Sequence, residues 1–279
     1  MTKRLAKRRC KLHLPVVLAA LVAASLFLSS GGPRSVAVNS PAETTEPAQE
    51  EIATISPPVV VSPPLNSEAD APLVEPPPRG GLVAKSAPVE DTYFEDVAFL
   101  GDSRTEGFKL YSGLKTGTYY HAVGATVESV FTKPVDTPNG ELPLLDAMKT
   151  ADYSKIYIML GVNELGWSKT ETFREQYFKV IERLQTDHPD ADLVIQSILP
   201  VSSRQDAKGS YVNNERINTY NEILFDLAEE TGCFYLNVAE AVVDESNCLR
   251  AEWNSDGVHL NIKGCQAWLE YLRTHAIET

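Results

Sequence analysis

The chain has 279 residues, 43% of them hydrophobic, and its 38 acidic against 25 basic side chains give a formal charge of −13. That balance argues against nucleic acid as a partner, because phosphate binding needs a basic face. Four cysteines, at positions 10, 233, 248 and 265, lack the spacing of a zinc site, and the three beyond residue 32 allow one disulfide at most.

In chain order, residues 1–13 carry Lys3, Arg4, Lys7, Arg8, Arg9 and Lys11 and no acid, and residues 14–28 are uncharged and almost wholly apolar. A basic head before an apolar run is the pattern of a secretory signal or, if uncleaved, of a membrane anchor over residues 14–32. The run is short against the roughly 20 residues of a full span, and Ser35-Val36-Ala37 supplies small residues for cleavage; both alternatives stand. In either case the basic side stays cytoplasmic, so the chain beyond about residue 32 is expected outside the cell or at its surface.

Residues 33–90 hold 12 of the 18 prolines and no aromatic residue. Such a segment buries too little apolar surface to offset its chain entropy, so a disordered, extended linker is expected there. At about 3.1 Å per residue, proline-rich chain can hold a domain well away from a membrane.

Residues 91–279 are expected to form one domain, with 16 basic against 30 acidic side chains. Strand-like apolar runs at 97–100, 119–122, 155–160, 193–198 and 234–238 alternate with helical patterns at 142–148, 170–186, 214–230 and 262–276. In the second helix Phe173, Tyr177, Val180, Ile181 and Leu184 recur at i, i+3, i+4 spacing. Alternation of this kind predicts an α/β fold with a parallel sheet covered on both faces. Sites in such sheets gather at the carboxyl ends of the strands. Cys233 and Cys265 read as small buried thiols, and a Cys248–Cys265 disulfide is conceivable without being required.

Two segments carry chemistry. Val97-Ala98-Phe99-Leu100 runs into Gly101-Asp102-Ser103-Arg104, an apolar strand that delivers a serine to a sheet edge. Asp256-Gly257-Val258-His259 sets a carboxylate and an imidazole one helical turn apart. Together they supply a nucleophile, a base and an orienting acid. Each residue also has an ordinary role: Ser103 as a helix cap, Gly124 and Asn163 as turn residues, Asp256 as a cap, His259 as a core histidine. His121, His188 and His275 have no comparable partner and read as structural or surface.

Four short blocks in order, Gly101-Asp102-Ser103-Arg104, Gly124 in His121-Ala122-Val123-Gly124-Ala125, Gly161-Val162-Asn163-Glu164, and Asp256-Gly257-Val258-His259, resemble those of the SGNH/GDSL hydrolases. The resemblance implies a flavodoxin-like three-layer α/β/α sandwich with a parallel five-stranded sheet. It implies Ser103, His259 and Asp256 as a catalytic triad, an oxyanion hole of the Ser103 and Gly124 backbone N–H groups and the Asn163 amide, and no metal or cofactor. Arg104 stands where the family often has leucine and Glu164 where it often has aspartate. Arg104 is expected to pair with a surface acid or to join Trp167 as part of a substrate wall, to which Ser202, Ser203 and Tyr211 are further candidates.

The expected function is an exported serine esterase that removes small acyl groups, acetyl foremost, from a polysaccharide or small-molecule substrate. A lysophospholipase or thioesterase would differ in chain-length preference. A catalytically silent glycan-binding module would resist an active-site serine probe.

Overall fold

A computed structural model describes residues 80–138 and 140–277; the expected signal segment and linker residues 33–79 lie outside them. The elements in chain order are β1 (Gly81–Leu82), β2 (Val97–Gly101), α1 (Ser103–Tyr111), β3 (Thr118–His121), β4 (Pro134–Thr137), β5 (Gly140–Pro143), α2 (Leu144–Met148), β6 (Lys155–Met159), α3 (Thr170–Asp187), β7 (Asp192–Gln196), α4 (Ser203–Asp206), α5 (Asn214–Thr231), β8 (Phe234–Leu236) and α6 (Ile262–Thr274). Six strands form one sheet in the order β1-β8-β7-β6-β2-β3, and every neighbouring pair is parallel.

Side chains alternate across this sheet and so build two cores. Ala98, Leu100, Ile156, Ile158 and Ile195 face α2, α3 and α5. Val97, Phe99, Tyr157, Met159 and Val194 face α1 and α6, where Trp268 is fully enclosed. Being covered on both sides, β2 and β6 are buried at every position, which is why they read as unbroken apolar runs rather than as alternating ones. The three-layer α/β/α arrangement is the expected one. Taken without β1, the strand order is the flavodoxin-like 2-1-3-4-5, whose crevice opens where the order reverses, between the carboxyl ends of β2 and β6.

Three features depart from expectation. The sheet has a sixth strand, because residues 80–90 pack on the domain instead of extending the linker: Gly81 N–H and Val83 N–H donate to Cys233 O and Tyr235 O, and Ser86 and Val89 N–H groups to Thr274 O and Arg273 O. This edge is held by backbone bonds, which leave no apolar pattern to read. Residues 134–143 form an antiparallel hairpin, β4 against β5, so the helix expected from residue 142 begins at Leu144. Helix α1 shows no apolar helical period in the sequence, because it buries only Arg104, Thr105 and Phe108 and leaves Leu110 and Tyr111 exposed.

Gly101 ends β2 where no side chain fits: a Cβ there would fall on the Thr105 hydroxyl and 2.6 Å from Met159 O. Gly101→Ala is expected to destabilise by about 1–3 kcal/mol, the range of core overpacking, measured as a lower urea midpoint at unchanged m-value.

Candidate active site

Ser103 is the first residue of α1, set immediately beyond the carboxyl end of β2. Its placement depends on Asp102, which caps the helix through Oδ1 accepting from Arg104 N–H at 2.8 Å. Serine is therefore freed from capping and stands half-buried at the helix start. On the opposite side of the crevice, the loop before α6 is held by Asn254 Oδ1, which accepts the Gly257 N–H at 2.8 Å, and by Gly257 O, which accepts the Ser202 N–H at 2.9 Å. Gly257 has φ +96 and lies against Ser202 and Gln205, so the turn that aims His259 needs glycine.

These supports bring the two segments together. Ser103 Oγ lies 3.0 Å from His259 Nε2, and His259 Nδ1 lies 2.8 Å from Asp256 Oδ2. The other carboxylate oxygen, Oδ1, accepts the His259 and Val258 backbone N–H groups at 2.8 and 2.9 Å. One carboxylate thus fixes both the ring and the backbone that bears it. Burial works to raise the Asp256 carboxyl, but its hydrogen bonds from His259 and Val258 prevail and hold it at about 2, so it is ionised at neutral pH. With Nδ1–H facing that carboxylate, Nε2 is free to take a proton from the serine hydroxyl. The His259 and Asp256 side chains are 42% and 54% exposed, so the line opens directly to solvent.

Gly124 and Asn163 follow β3 and β6, the strands on either side of β2. Gly124 has φ +69, and its turn is closed by Ala125 N–H donating to Ala122 O at 2.9 Å. Asn163 Nδ2 donates to Ala125 O at 2.8 Å and, weakly, to Asp102 Oδ2 at 3.4 Å. The blocks carrying Ser103, Gly124 and Asn163 are thereby tied to one another beneath the serine.

Arg104 is neither part of a wall nor paired with a surface acid. It is 3% exposed, its Nη1 donates to Leu199 O at 2.7 Å, and its Nε and Nη2 are buried without a protein partner. Position 104 points down into the layer under the crevice, where burial lowers the guanidinium to about 10 against the pull of Asp102 and Asp256. Trp167 is half-buried and packs on the main core, its carbonyl accepting from Arg216 Nη2. Ser202 is buried as the cap of α4, whereas Ser203 and Tyr211 are exposed. His121 ends β3 beside Lys109 Nζ at 3.5 Å, His188 packs near Tyr153, and His275 stacks on Tyr271. Cys233, Cys248 and Cys265 are all free thiols. Among the described residues no cluster of three or more His, Cys, Asp or Glu side chains is placed to hold a metal ion.

Lys133 was not foreseen. Its Nζ donates to Val123 O and would lie 3.9 Å from a Cβ on Gly124, which sets an ammonium beside the Gly124 turn. It arrives through the β4–β5 side of the fold, and no local pattern marks it.

A family profile described as the GDSL-like lipase/acylhydrolase family matches residues 99–267, more than half of the chain and all four blocks. The chain belongs to the GDSL-like lipase/acylhydrolase family. It is accordingly a carboxylic ester hydrolase. Among solved structures, it is similar to a Streptococcus pneumonia protein provisionally assigned as a platelet activating factor, at 23% identity over 64% of this chain and 82% of that one, with TM-score 0.52. A Desulfitobacterium hafniense DCB-2 protein, provisionally assigned to the lipolytic G-D-S-L family, shares 15% identity over 65% and 99% of the two chains, with TM-score 0.52. Axe2, an acetylxylan esterase from Geobacillus stearothermophilus, shares 13% over 66% and 95%, with TM-score 0.49. At these identities the likeness is one of fold. No curated protein matches the chain significantly.

Proposed function

We propose that this GDSL-like hydrolase is an exported serine esterase that removes small acyl groups, acetyl foremost, from a carbohydrate. The observation that carries the chemistry is the hydrogen-bonded line from Ser103 Oγ through His259 to Asp256. His259 Nε2 takes the serine proton as Oγ attacks the ester carbonyl. The Ser103 and Gly124 N–H groups and the Asn163 amide hold the resulting oxyanion, Asn163 with the N–H that Asp102 now holds only weakly. His259 then returns the proton to the leaving alcohol, and water repeats the sequence on the acyl-enzyme. The proposed export rests on the basic head and apolar run at residues 1–28.

The open setting of the Ser103–His259–Asp256 line, with the His259 and Asp256 side chains about half exposed, favours a small acyl group carried on a hydrophilic substrate. A cleft of about 550 Å³ beside His121 and Ala122 has a mixed lining that includes Lys109, Tyr120, Val135 and Asp136 and none of these three residues. Among the described residues no helix is long and apolar enough to cross a membrane.

The test is hydrolysis by the purified protein of p-nitrophenyl acetate, butyrate and octanoate and of acetylated xylan. Acetyl esters are expected to turn over fastest, with acetate released from the glycan. Preference for octanoate, or for lysophospholipid over all of these, overturns the small-acyl reading. Asn163→Ala is expected to lower kcat about 10²–10³-fold with little change in KM, the effect of losing one oxyanion donor, read by steady-state kinetics.

A further inference from the structure

Directly beneath the site lies an acid that the chemistry above does not use. Glu164 is fully buried. Its Oε1 accepts the Val127 N–H at 2.6 Å, and its Oε2 is buried with no protein partner. A carboxyl in such a place costs free energy that leucine or methionine would avoid, so its geometry must be asked what it holds. Val127 lies three residues after Gly124. The neighbouring Asn163 grips the same segment at Ala125 O, and Glu164 is itself anchored from above and below: its carbonyl accepts from Tyr220 Oη and from Trp167 N–H, both at 2.8 Å. Two adjacent residues of the third block thus hold a carbonyl and an N–H two residues apart, which fixes both the position and the tilt of the strip that follows Gly124.

We infer that Glu164 is a positioning residue whose buried carboxyl locks residues 125–127, and through them Gly124, in register with Ser103. The inference rests on the proposed role of Gly124 as an oxyanion donor. It assigns Glu164 no contact with substrate. The groups that face Glu164 are Asp102 from the β2–α1 junction, Tyr177 from α3 and Tyr220 from α5, together with the Val127 N–H. None is a cation, so only backbone N–H groups, that of Val127 foremost and those of Asn163 and Glu164 behind it, favour an ionised Glu164. Burial, against the pull of the Val127 N–H and with the help of the Asp102 charge, pushes the carboxyl up to about 8. The strut is a neutral acid at pH 7 and becomes a buried anion with no cation facing it above about 8.

The experiment compares the full-length wild type with Glu164→Gln and Glu164→Leu by steady-state kinetics across pH and by amide hydrogen exchange. Glu164→Gln keeps an acceptor for Val127 N–H and is expected to keep kcat. The wild type is expected to show an alkaline limb near pH 8, and Glu164→Gln is expected to lose it. Glu164→Leu removes the acceptor. Its kcat is expected to fall about 100-fold at unchanged KM, the effect of a misplacement of about an ångström, and exchange should accelerate over residues 125–131 while β2 and β6 stay protected. Unchanged kcat and unchanged exchange in Glu164→Leu overturn the inference. Should Glu164→Leu not fold, an alkaline limb that persists in Glu164→Gln overturns it instead. If the wild type proves to lack esterase activity, the functional reading fails, and the exchange data alone decide whether Glu164 locks the strip.

Stability offers a second readout. The folded protein holds the Glu164 proton more tightly than the unfolded chain, whose carboxyl titrates near the ordinary 4.5. The folded state therefore binds the extra proton between these two values, and wild-type stability declines as pH rises through that window. Glu164→Gln is expected to gain on the wild type steadily from about pH 4.5 to about pH 8, and a constant Tm difference across that range contradicts the neutral-acid strut.

Discussion

Ser103→Ala is expected to abolish turnover of p-nitrophenyl acetate, a loss of about 10⁶ in kcat where nucleophile and base act as a unit. The loss should come without a change in fold. The Ser103 hydroxyl is hydrogen-bonded to His259, while the helix it opens is capped by Asp102, so removing the hydroxyl takes away the nucleophile and leaves the cap. Asp256→Asn separates the roles further. An asparagine carbonyl in place of Oδ1 still accepts the Val258 and His259 backbone N–H groups, so the loop keeps its shape. Its amide, now facing His259 Nδ1, can only donate, which forces the proton to Nε2 and leaves the ring unable to accept one from Ser103. A fall of about 10⁴ in kcat is expected from the wrong tautomer alone. Both are measured by steady-state kinetics beside circular dichroism. Retention of most of the activity in Ser103→Ala removes serine as the nucleophile, and an Asp256→Asn protein as active as wild type removes the carboxylate as the group that orients the ring.

The four blocks were legible because each is a short local string, and those of Ser103 and Asn163 follow strongly apolar strands. The buried runs at 97–100 and 155–160 announce β2 and β6, and the crevice lies between their carboxyl ends, so the sequence alone places Ser103 and Asn163 at it. His259 was legible through its spacing to Asp256, since one turn of chain suffices for the hydrogen bond. Contacts made across the fold were not legible. Nothing near Arg104 says that Leu199 O waits 95 residues away to receive it, and an arginine after a catalytic serine reads naturally as a surface cation. Glu164 is marked in the sequence only as a glutamate where the resembled family often has aspartate, because its burial and its Val127 partner arise only when β3 and β6 flank β2. The β1 edge and the β4–β5 hairpin escaped for a different reason: they are held largely by backbone hydrogen bonds, which side-chain periodicity does not report.

Arg104→Met is expected to destabilise the protein by about 3–5 kcal/mol at neutral pH, the cost of leaving a buried charge uncompensated; Arg104 bonds Leu199 O rather than Asp102 and acts on that carboxyl through space. Asp102 is completely buried. Burial raises its carboxyl, and the Arg104 guanidinium is the largest influence pulling it back down, ahead of the Arg104 backbone N–H. Without that cation the folded protein binds the Asp102 proton more tightly still, while the unfolded chain releases it near 3.8. More protons on the folded than on the unfolded state means that stability falls as pH rises. The deficit of Arg104→Met should therefore be smallest below about pH 3.8 and widen toward neutrality. Asp102→Asn/Arg104→Met removes both charges, and the asparagine carbonyl can still cap α1 by accepting the residue-104 N–H. Most of the lost stability should return in that double variant, as it does when a buried pair is replaced together rather than broken. Urea unfolding at acid and neutral pH measures all three proteins. A deficit that is independent of pH, or a double variant no more stable than Arg104→Met, would show that Arg104 matters through its packing and its bond to Leu199 O rather than through its charge.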